Sequence, residues 1–527
     1  MKKLKYGAVT LLFATAGLFL AACSTSSSPN KATTSKTETT KDASSFTYAI
    51  SGNPASLNPI NTSDRWGLTV TNMIYSPLVA IETDGTQKNI LADSIEAAKD
   101  GLSVTVKLKQ TIKWSDGEKL TADDVVFTYT QKAKKENGNA DKLWIGGKPV
   151  TIQKVDDYTV KFSLPEPSAA AVNNIATETF IIPKHIYKDV ADFSVKELPV
   201  APVGTGPYKL KTYKTGEYLA FEANKTYFGG TPAIKNVTLR IIESNDTAKV
   251  ALQKGEVDAA VVLPSAISDL DSHDITVYPY SETRVGYLGL NTKSDALTNV
   301  KVRQAVLYAL DKSELNQAAY LNKKYYSTPN SFLPPSNPFA TESVNTYKTN
   351  AQKSKTLLAE AGVSDLKLNI GFSATDPAQT VQATLIQQQL KKAGITVTLE
   401  GGDGTAIFSE LKKPGSTKYN LFLGGYIMGN DPDLYAALFK TGGSSNYFQT
   451  NNAKTDQLFD KAAVETDPTK RKALYDQLQK EVADDARIYP IVDNKKILAV
   501  NNRIANVKKA NLVPIYTFED LSKLTIK

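Results

Sequence analysis

The chain has 527 residues, 62 Lys and Arg against 54 Asp and Glu, a net charge of +8, two histidines and one cysteine. That length exceeds what one core fills, since single cores stop growing near ~250–300 residues, so several structural units are expected. The hydrophobic share of 41% and charged share of 22% are ordinary for a globular chain. One cysteine excludes an intrachain disulfide, and only seven of the 62 basic residues are Arg, spread thinly, which argues against a nucleic-acid-binding face.

The N-terminus reads as an address. "MKKLKY" is a basic segment and "GAVTLLFATAGLFLAA" an apolar run of 16 residues, shorter than a spanning helix needs. Leu20-Ala21-Ala22-Cys23 resembles the bacterial lipobox, in which the cysteine thiol receives a diacylglycerol. Residues 1–22 are therefore expected to be a lipoprotein signal peptide, with Cys23 the lipidated residue. The following Ser-, Thr- and Lys-rich stretch, 23–45, has no apolar periodicity and reads as a flexible tether. A diacyl foot meets the two-chain requirement for stable anchoring. The expected location is the outer face of a cell membrane, of Gram-positive type.

Strand patterns lead the body of the chain. "SSFTYAI" (45–51) alternates and runs into a loop that includes "NTSDRWG" (61–67); "SVTVKLK" (103–109), "YTVKFSL" (158–164) and "VTLRII" (237–242) repeat the period of two. In "TADDVVF", Thr121 is an N-cap with Asp123 and Asp124 in the first turn, where the helix dipole favours acids. Past residue 300, helices and strands alternate. "VRQAVLYALDK" puts Val302, Ala305, Val306, Ala309 and Leu310 on one helical face. The segment 376–394 opens on Asp376-Pro377 and closes on Gly394, which predicts a capped helix before the strand "ITVTLE" (395–400). A short helix near 406–412, the strand "YNLFLGGYI" (419–427), a helix opened by Asp467-Pro468 and the strand "RIYPIV" (487–492) complete an α/β pattern.

Little in the sequence points to catalysis. His185 and His273 show no partner in their local sequence, no Gly-x-Ser-x-Gly elbow or phosphate-binding Walker loop occurs, and "GTGPYK" (204–209) lacks the third glycine of a dinucleotide fingerprint. The expectation is a binding protein without enzymatic activity, cofactor or resident metal.

Several stretches carry a resemblance. "WSDGEKLTADDVVFTY" (114–129), "VGTGPYKL" (203–210), "LQKGEVDAA" (252–260) and "YLGLNT" (287–292) followed by "NVKVRQAVLYALDK" (299–312) occur in the order found in peptide-type extracellular solute-binding proteins of ABC importers, the dipeptide, oligopeptide and nickel receptors. The resemblance implies an α/β, periplasmic-binding-protein-like clamshell, class II and of the large peptide-binding type, with three lobes and a ligand cleft between two mixed sheets. It places lobe I at 46–85, 200–295 and 495–527, lobe II at 86–199 and lobe III at 296–494. It implies a monomer that binds short peptides and meets membrane permease subunits. A receptor for a nickel chelate, haem or sugar, or for a peptide pheromone, is the alternative on the same fold.

Candidate ligand contacts follow from the same resemblance. Arg65 and Trp66, in the loop after the first strand, can stack on ligand or on packing. Gly424 and Tyr426 match backbone partners of an extended peptide, with Gly425 giving close approach; glycines for tight strand packing are the other reading. Met428 stands where relatives carry an acid for the peptide ammonium. Asp431 fits an N-cap and Asp433 an ammonium partner. No Arg lies between Arg303 and Arg471, so Arg284, just before Tyr287, or Arg65 would serve a carboxylate. Asn446 in "GGSSNYF" would orient ligand or turn.

Overall fold

The structure, a computed structural model, describes residues 44–527 apart from 177–178, 199–201 and 271–272. The signal segment, Cys23 and nearly all of the tether lie outside these residues. Among the described residues no helix is long and apolar enough to cross a membrane.

The strands that organise the molecule are β1 (Ser45–Ile50), β2 (Ala92–Ala97), β3 (Ser103–Leu108), β4 (Thr151–Asp156), β5 (Thr159–Ser163), β6 (Tyr208–Lys214) and β7 (Tyr218–Ala223). They continue with β8 (Asn236–Ile241), β9 (Ala259–Val262), β10 (Ile275–Leu290), β11 (Leu366–Ser373), β12 (Ile395–Gly402), β13 (Leu421–Tyr426) and β14 (Ile488–Asn501). The alternation read from the sequence is the burial pattern observed. In β3, Val104, Val106 and Leu108 are buried while Lys107 faces out; in β5, Val160 and Phe162 are buried.

β2, β3, β5 and β4 form a four-stranded antiparallel sheet in that order, with its own core around Trp114, Tyr129 and Phe162. Everything else of note joins one eleven-stranded sheet, β6-β7-β8-β1-β9-β14-β10-β13-β11-β12, with the two-residue strand Tyr326–Ser327 added to β14. Both halves of this sheet are mixed. β1 runs parallel to β8 and β9 in one half, and β11 runs parallel to β12 and β13 in the other. The long antiparallel strands β10 and β14 belong to both halves. Their register slips between Ser281 and Val285 and again between Gly286 and Tyr287.

The helices begin where short polar side chains satisfy their free N–H groups. α1 (Arg65–Ile74) starts at Asp64, whose carboxylate accepts from the N–H of Trp66 and Gly67. This corrects the reading of 61–67 as loop throughout: Gly67–Thr71, Met73 and Ile74 are all buried, and the cap fixes the start at Arg65. α2 (Ala122–Lys132) follows Thr121, whose N–H donates to the Asp124 carboxylate at 2.9 Å. α3 (Val300–Tyr308) buries Val302, Ala305 and Val306. α4 (Pro377–Lys392) is capped by Asp376 and ends before Gly394, whose φ of +88° is the left-handed turn glycine adopts without strain. α5 (Gly404–Leu411) and α6 (Pro468–Asp484, capped by Asp467) complete the set. Gly204 and Gly206 lie against the backbone at the end of α1: a Cβ on Gly204 would sit 1.9 Å from the Ile74 carbonyl oxygen, so glycine is required there by close approach.

Candidate functional site

The register slip in β10 shapes the site. It puts Ser281–Val285 opposite Asp493–Lys495 of β14, with Thr283 at a φ of +54°, a left-handed conformation a β-branched residue rarely holds. A bulge re-aims the side chains around it. Here it turns Glu282 and Arg284 into one cavity and Thr283 into another.

The first cavity, of about 600 Å³, is polar. Arg65, Trp66, Glu282, Arg284, Lys495 and Lys496 line it, and the start of α4 at Asp376 and Pro377 closes one side. Arg65 Nη1 donates to Glu282 Oε1 at 2.6 Å and to the Ile515 carbonyl at 3.0 Å. Lys496 Nζ stands 3.6 Å from the other Glu282 oxygen. Glu282 is buried, its side chain 3% exposed, and its charge is answered by these two cations. Burial pushes the Lys496 ammonium down to about 8, against the pull of Glu282. Arg284 Nη1 donates to Asn494 Oδ1 at 3.1 Å, and no carboxylate among the described residues lies within ion-pair distance of it. Its guanidinium fills the space over Gly425, where a Cβ would sit 2.1 Å from Cζ. Neighbouring Asp493 is buried and accepts from the hydroxyls of Ser281 and Ser327; burial raises its pKa.

The second cavity, of about 430 Å³, is mainly apolar, with Ile81, Phe180, Met428, Leu434, Ile515 and Tyr516 among its walls. Glu82 and Glu519 lie at one side. Asn511 Nδ2 donates to both carboxylates, at 3.4 and 2.8 Å, and Lys88 Nζ sits 2.5 Å from Glu519 and 4.0 Å from Glu82. Burial first, and then the charge of Glu519, raise the Glu82 pKa. Ile427, just past β13, lines both cavities, so they are two compartments of one cleft. Asn430 Nδ2 donates to the Glu82 carbonyl across the apolar compartment. Elsewhere Ala169 N–H donates to the Ala463 carbonyl at 3.1 Å, which links the four-stranded unit to the helices after residue 450.

β13 borders this cleft. It pairs with β10 through Leu421–Tyr426, but with β11 only at Leu421 and Phe422. In an antiparallel ladder alternate residues direct their backbone groups to the same neighbour. Asn291 N–H donates to the Asn420 carbonyl, so Phe422, Gly424 and Tyr426 face β10, while Leu423 and Gly425 face away. Among the described residues no strand pairs with that outer edge beyond Phe422.

Of the residues singled out in the sequence, Arg65, Trp66 and Arg284 meet in the polar compartment and Met428 lines the apolar one. The others stand elsewhere. Tyr287 and Tyr426 are buried against each other, ring centroids 5.2 Å apart, and the Tyr426 hydroxyl donates to the Phe332 carbonyl at 2.6 Å. Gly424 is buried beneath Tyr287 and Phe408, and its backbone groups face β10 rather than an open edge. Asp431 accepts from Asp433 N–H as a cap and holds Arg471 through two bonds of 2.9 and 2.8 Å. Burial and the charge of Asp431 push the Asp433 carboxyl up to about 6, and it lines neither compartment. Asn446 bridges Thr450, donating to its carbonyl and accepting from its N–H, and so orients a turn. His185, read as lacking a partner, stands 2.8 Å from Asp116, a contact only the tertiary fold supplies. Glu282, Lys495, Lys496, Glu82 and Glu519 were missed. The one signal for the first was the polar run Ser281–Arg284 inside a 16-residue strand.

The chain matches the model of bacterial extracellular solute-binding proteins, family 5 Middle, over residues 86–449. It is 29% identical over 498 residues to the oligopeptide-binding protein AppA of Bacillus subtilis, covering 89% of each chain. Among solved structures, the ABC transporter substrate binding protein CtaP of Listeria monocytogenes superposes with a TM-score of 0.87 at 37% identity, over 92% of this chain and 100% of that one. AppA of Clostridium difficile superposes with a TM-score of 0.84 at 32% identity, over 92% and 100%. These matches and the cleft at the long bulged strands make the assignment: the chain belongs to the bacterial extracellular solute-binding proteins, family 5.

Proposed function

We propose that the protein is the receptor of an ABC importer and that its cleft captures short peptides, di- to oligopeptides, for delivery to a membrane permease. The observation that carries the reading is the open outer edge of β13 at Leu423–Gly425, beside a cleft with charged walls. An extended peptide added there pairs through backbone groups, which gives affinity with little dependence on side chains. The oligopeptide-binding AppA of Bacillus subtilis supports the substrate class, and CtaP the transporter partner. Arg65, Trp66, Arg284 and Met428 are the contact residues in this reading, with Gly425 rather than Gly424 or Tyr426 as backbone partner.

The three lobes, at the boundaries set by the resemblance, close on ligand by rotation about β10 and β14. Cys23 carries the lipid, residues 23–45 are the tether, and the body works as a monomer on the outer face of the cell membrane. The experiment is a melting curve with added ligand. A ligand that binds only the folded state raises the melting temperature. Mixed di- to octapeptides should raise it. A rise with a nickel chelate, haem or sugars and none with peptides would overturn the reading.

A further inference from the structure

The tether meets the body at Ser44, away from the cleft. The Ser44 carbonyl accepts from the N–H of Lys235 and of Asn236 at the start of β8, and Arg503, just past β14, donates to the Ser45 carbonyl at 2.8 Å. From Ser45, β1 runs to Ile50, and Ala49 and Ser51 line the polar compartment. A strand of that length separates the two places by about 17 Å.

The face around Ser44 combines an exposed ring with unanswered positive charge. The loop between β7 and β8 turns at Tyr227: the Gly230 N–H donates back to the Tyr227 carbonyl at 3.0 Å, and Gly230 takes a φ of +95°. The turn holds Phe228 out, 37% exposed, its ring backed by that of Tyr227 at 4.8 Å between centroids. Lys225 and Lys235 in this loop, and Lys508 and Lys509 in the C-terminal segment, are exposed. Among the described residues none of the four has a carboxylate within ion-pair distance. Asp520 joins the two segments: its carboxylate accepts from the Tyr227 hydroxyl at 3.5 Å, and its N–H donates to the carbonyl of Ala510, the residue after Lys509. The acids nearby have cations of their own. Asp258 holds Arg503 through two bonds of 2.8 Å, Asp520 lies 3.5 Å from Lys523, and Glu222 is shared by Lys209 and Lys211. Exposed Asp274, whose carbonyl accepts from the Asn502 N–H, stands against the lysines, and the surplus is positive.

A ring flanked by free ammonium groups matches the boundary of an anionic bilayer, where aromatic rings settle at headgroup level and lysines meet lipid phosphates. Where the tether enters favours lipid over an acidic protein as the occupant. About twenty residues of Ser- and Thr-rich chain, the separation of Cys23 from Ser44, span roughly 25 Å. A face that close to the bilayer meets it at high effective concentration, so a weak contact suffices.

We infer that this face lies on the anionic headgroups of the membrane, with Phe228 in the headgroup layer and Lys225, Lys235, Lys508 and Lys509 against lipid phosphates. This rests on the anchor reading, in which Cys23 carries lipid. The tether supplies the attachment and the face sets the orientation, which keeps the cleft clear of the lipid and open to arriving ligand. The contact by itself is weak and screened by salt, so loss of the lipid at Cys23 still frees the protein.

The test is hydrogen exchange of the lipidated protein in vesicles of phosphatidylcholine, alone or mixed with phosphatidylglycerol. Amides of 225–231 and 508–511 should exchange at least about threefold more slowly on the mixed vesicles, while those at the bulge of β10 exchange alike on both. High salt should erase the difference. In the variant Phe228→Ser/Lys508→Glu/Lys509→Glu the difference should vanish while the protein stays with both kinds of vesicle. Its melting temperature should change little, because all three side chains are exposed. Equal exchange of the unaltered protein on both vesicles would overturn the inference and leave the anchor reading standing. Retention by neither vesicle would overturn the anchor reading and the inference with it. Slowing that needs the permease in the same vesicles would give the face to a protein partner and overturn the lipid contact.

Discussion

The guanidinium of Arg284 occupies the place a side chain would take on Gly425: a Cβ there would lie 2.1 Å from the Arg284 Cζ. The glycine is therefore the seat of the arginine, and the pair joins β10 to the strand edge that borders the cleft. Gly425 has no positive φ, so close approach alone accounts for it. Gly425→Ala should expel the guanidinium from its seat and weaken peptide binding by about tenfold, the scale of one charged hydrogen bond. Because Gly425 is exposed, the melting temperature should fall little. Titration calorimetry beside a melting curve separates the two effects; unchanged affinity would show that the seat does not matter.

Asp431 and Arg471 are a different kind of pair. Their side chains are 8% and 7% exposed and joined by two bonds, beneath the helical turn that follows β13. Removing one partner of a buried pair leaves an unanswered charge at a cost of about 3–5 kcal/mol. Asp431→Ala should lose stability of that order in urea, and Asp431→Leu/Arg471→Leu less than either single change. A loss below about 1 kcal/mol for Asp431→Ala would mean that the pair is solvated in the folded state.

The pH dependence of stability should carry the mark of Asp433. Burial and the nearby Asp431 hold its carboxyl at about 6, above its ordinary value. The fold thus prefers the neutral acid. Its contribution is complete below about pH 4 and lost as pH rises through about 6. Asp433→Asn should then stabilise the protein by about 1–3 kcal/mol at pH 7.5 and bring no gain at pH 4. Urea midpoints at the two pH values measure this, and a gain of equal size at both would remove the titration as its cause.

Cys23 provides a test independent of the cleft. Cys23→Ala should move the protein from the membrane to the soluble fraction of cells and leave peptide affinity unchanged. A variant that stays with the membrane would place the anchor elsewhere, and a fall in affinity would contradict the separation of anchor from site.

What was legible in the sequence was local. Period-two burial marked β3 and β5, and Asp-Pro starts marked α4 and α6, because neighbouring residues determine both. α1 escaped notice because Trp66, Gly67, Thr69, Val70 and Thr71 are weak helix formers; the Asp64 cap and burial of Leu68 and Ile74 override propensity there. The site was legible only in part. Arg65, Trp66, Arg284 and Met428 reached the cleft, but Tyr287 and Tyr426 went to an aromatic core on the other side of the same strands. A strand whose two faces are both covered gives no pattern that separates ligand side from core side. Glu82 and Glu519 stand near opposite ends of the described chain, and no sequence pattern joins groups that only the tertiary fold brings to one Asn511.

The central claim is that the cleft holds a short peptide, and the most direct measurement is native mass spectrometry of the protein purified from cells grown in rich medium. Adducts with the masses of short peptides are expected, released on denaturation and readable by fragmentation as peptide chains. Adducts that fragment instead as a metal chelate, a haem or an oligosaccharide would contradict it.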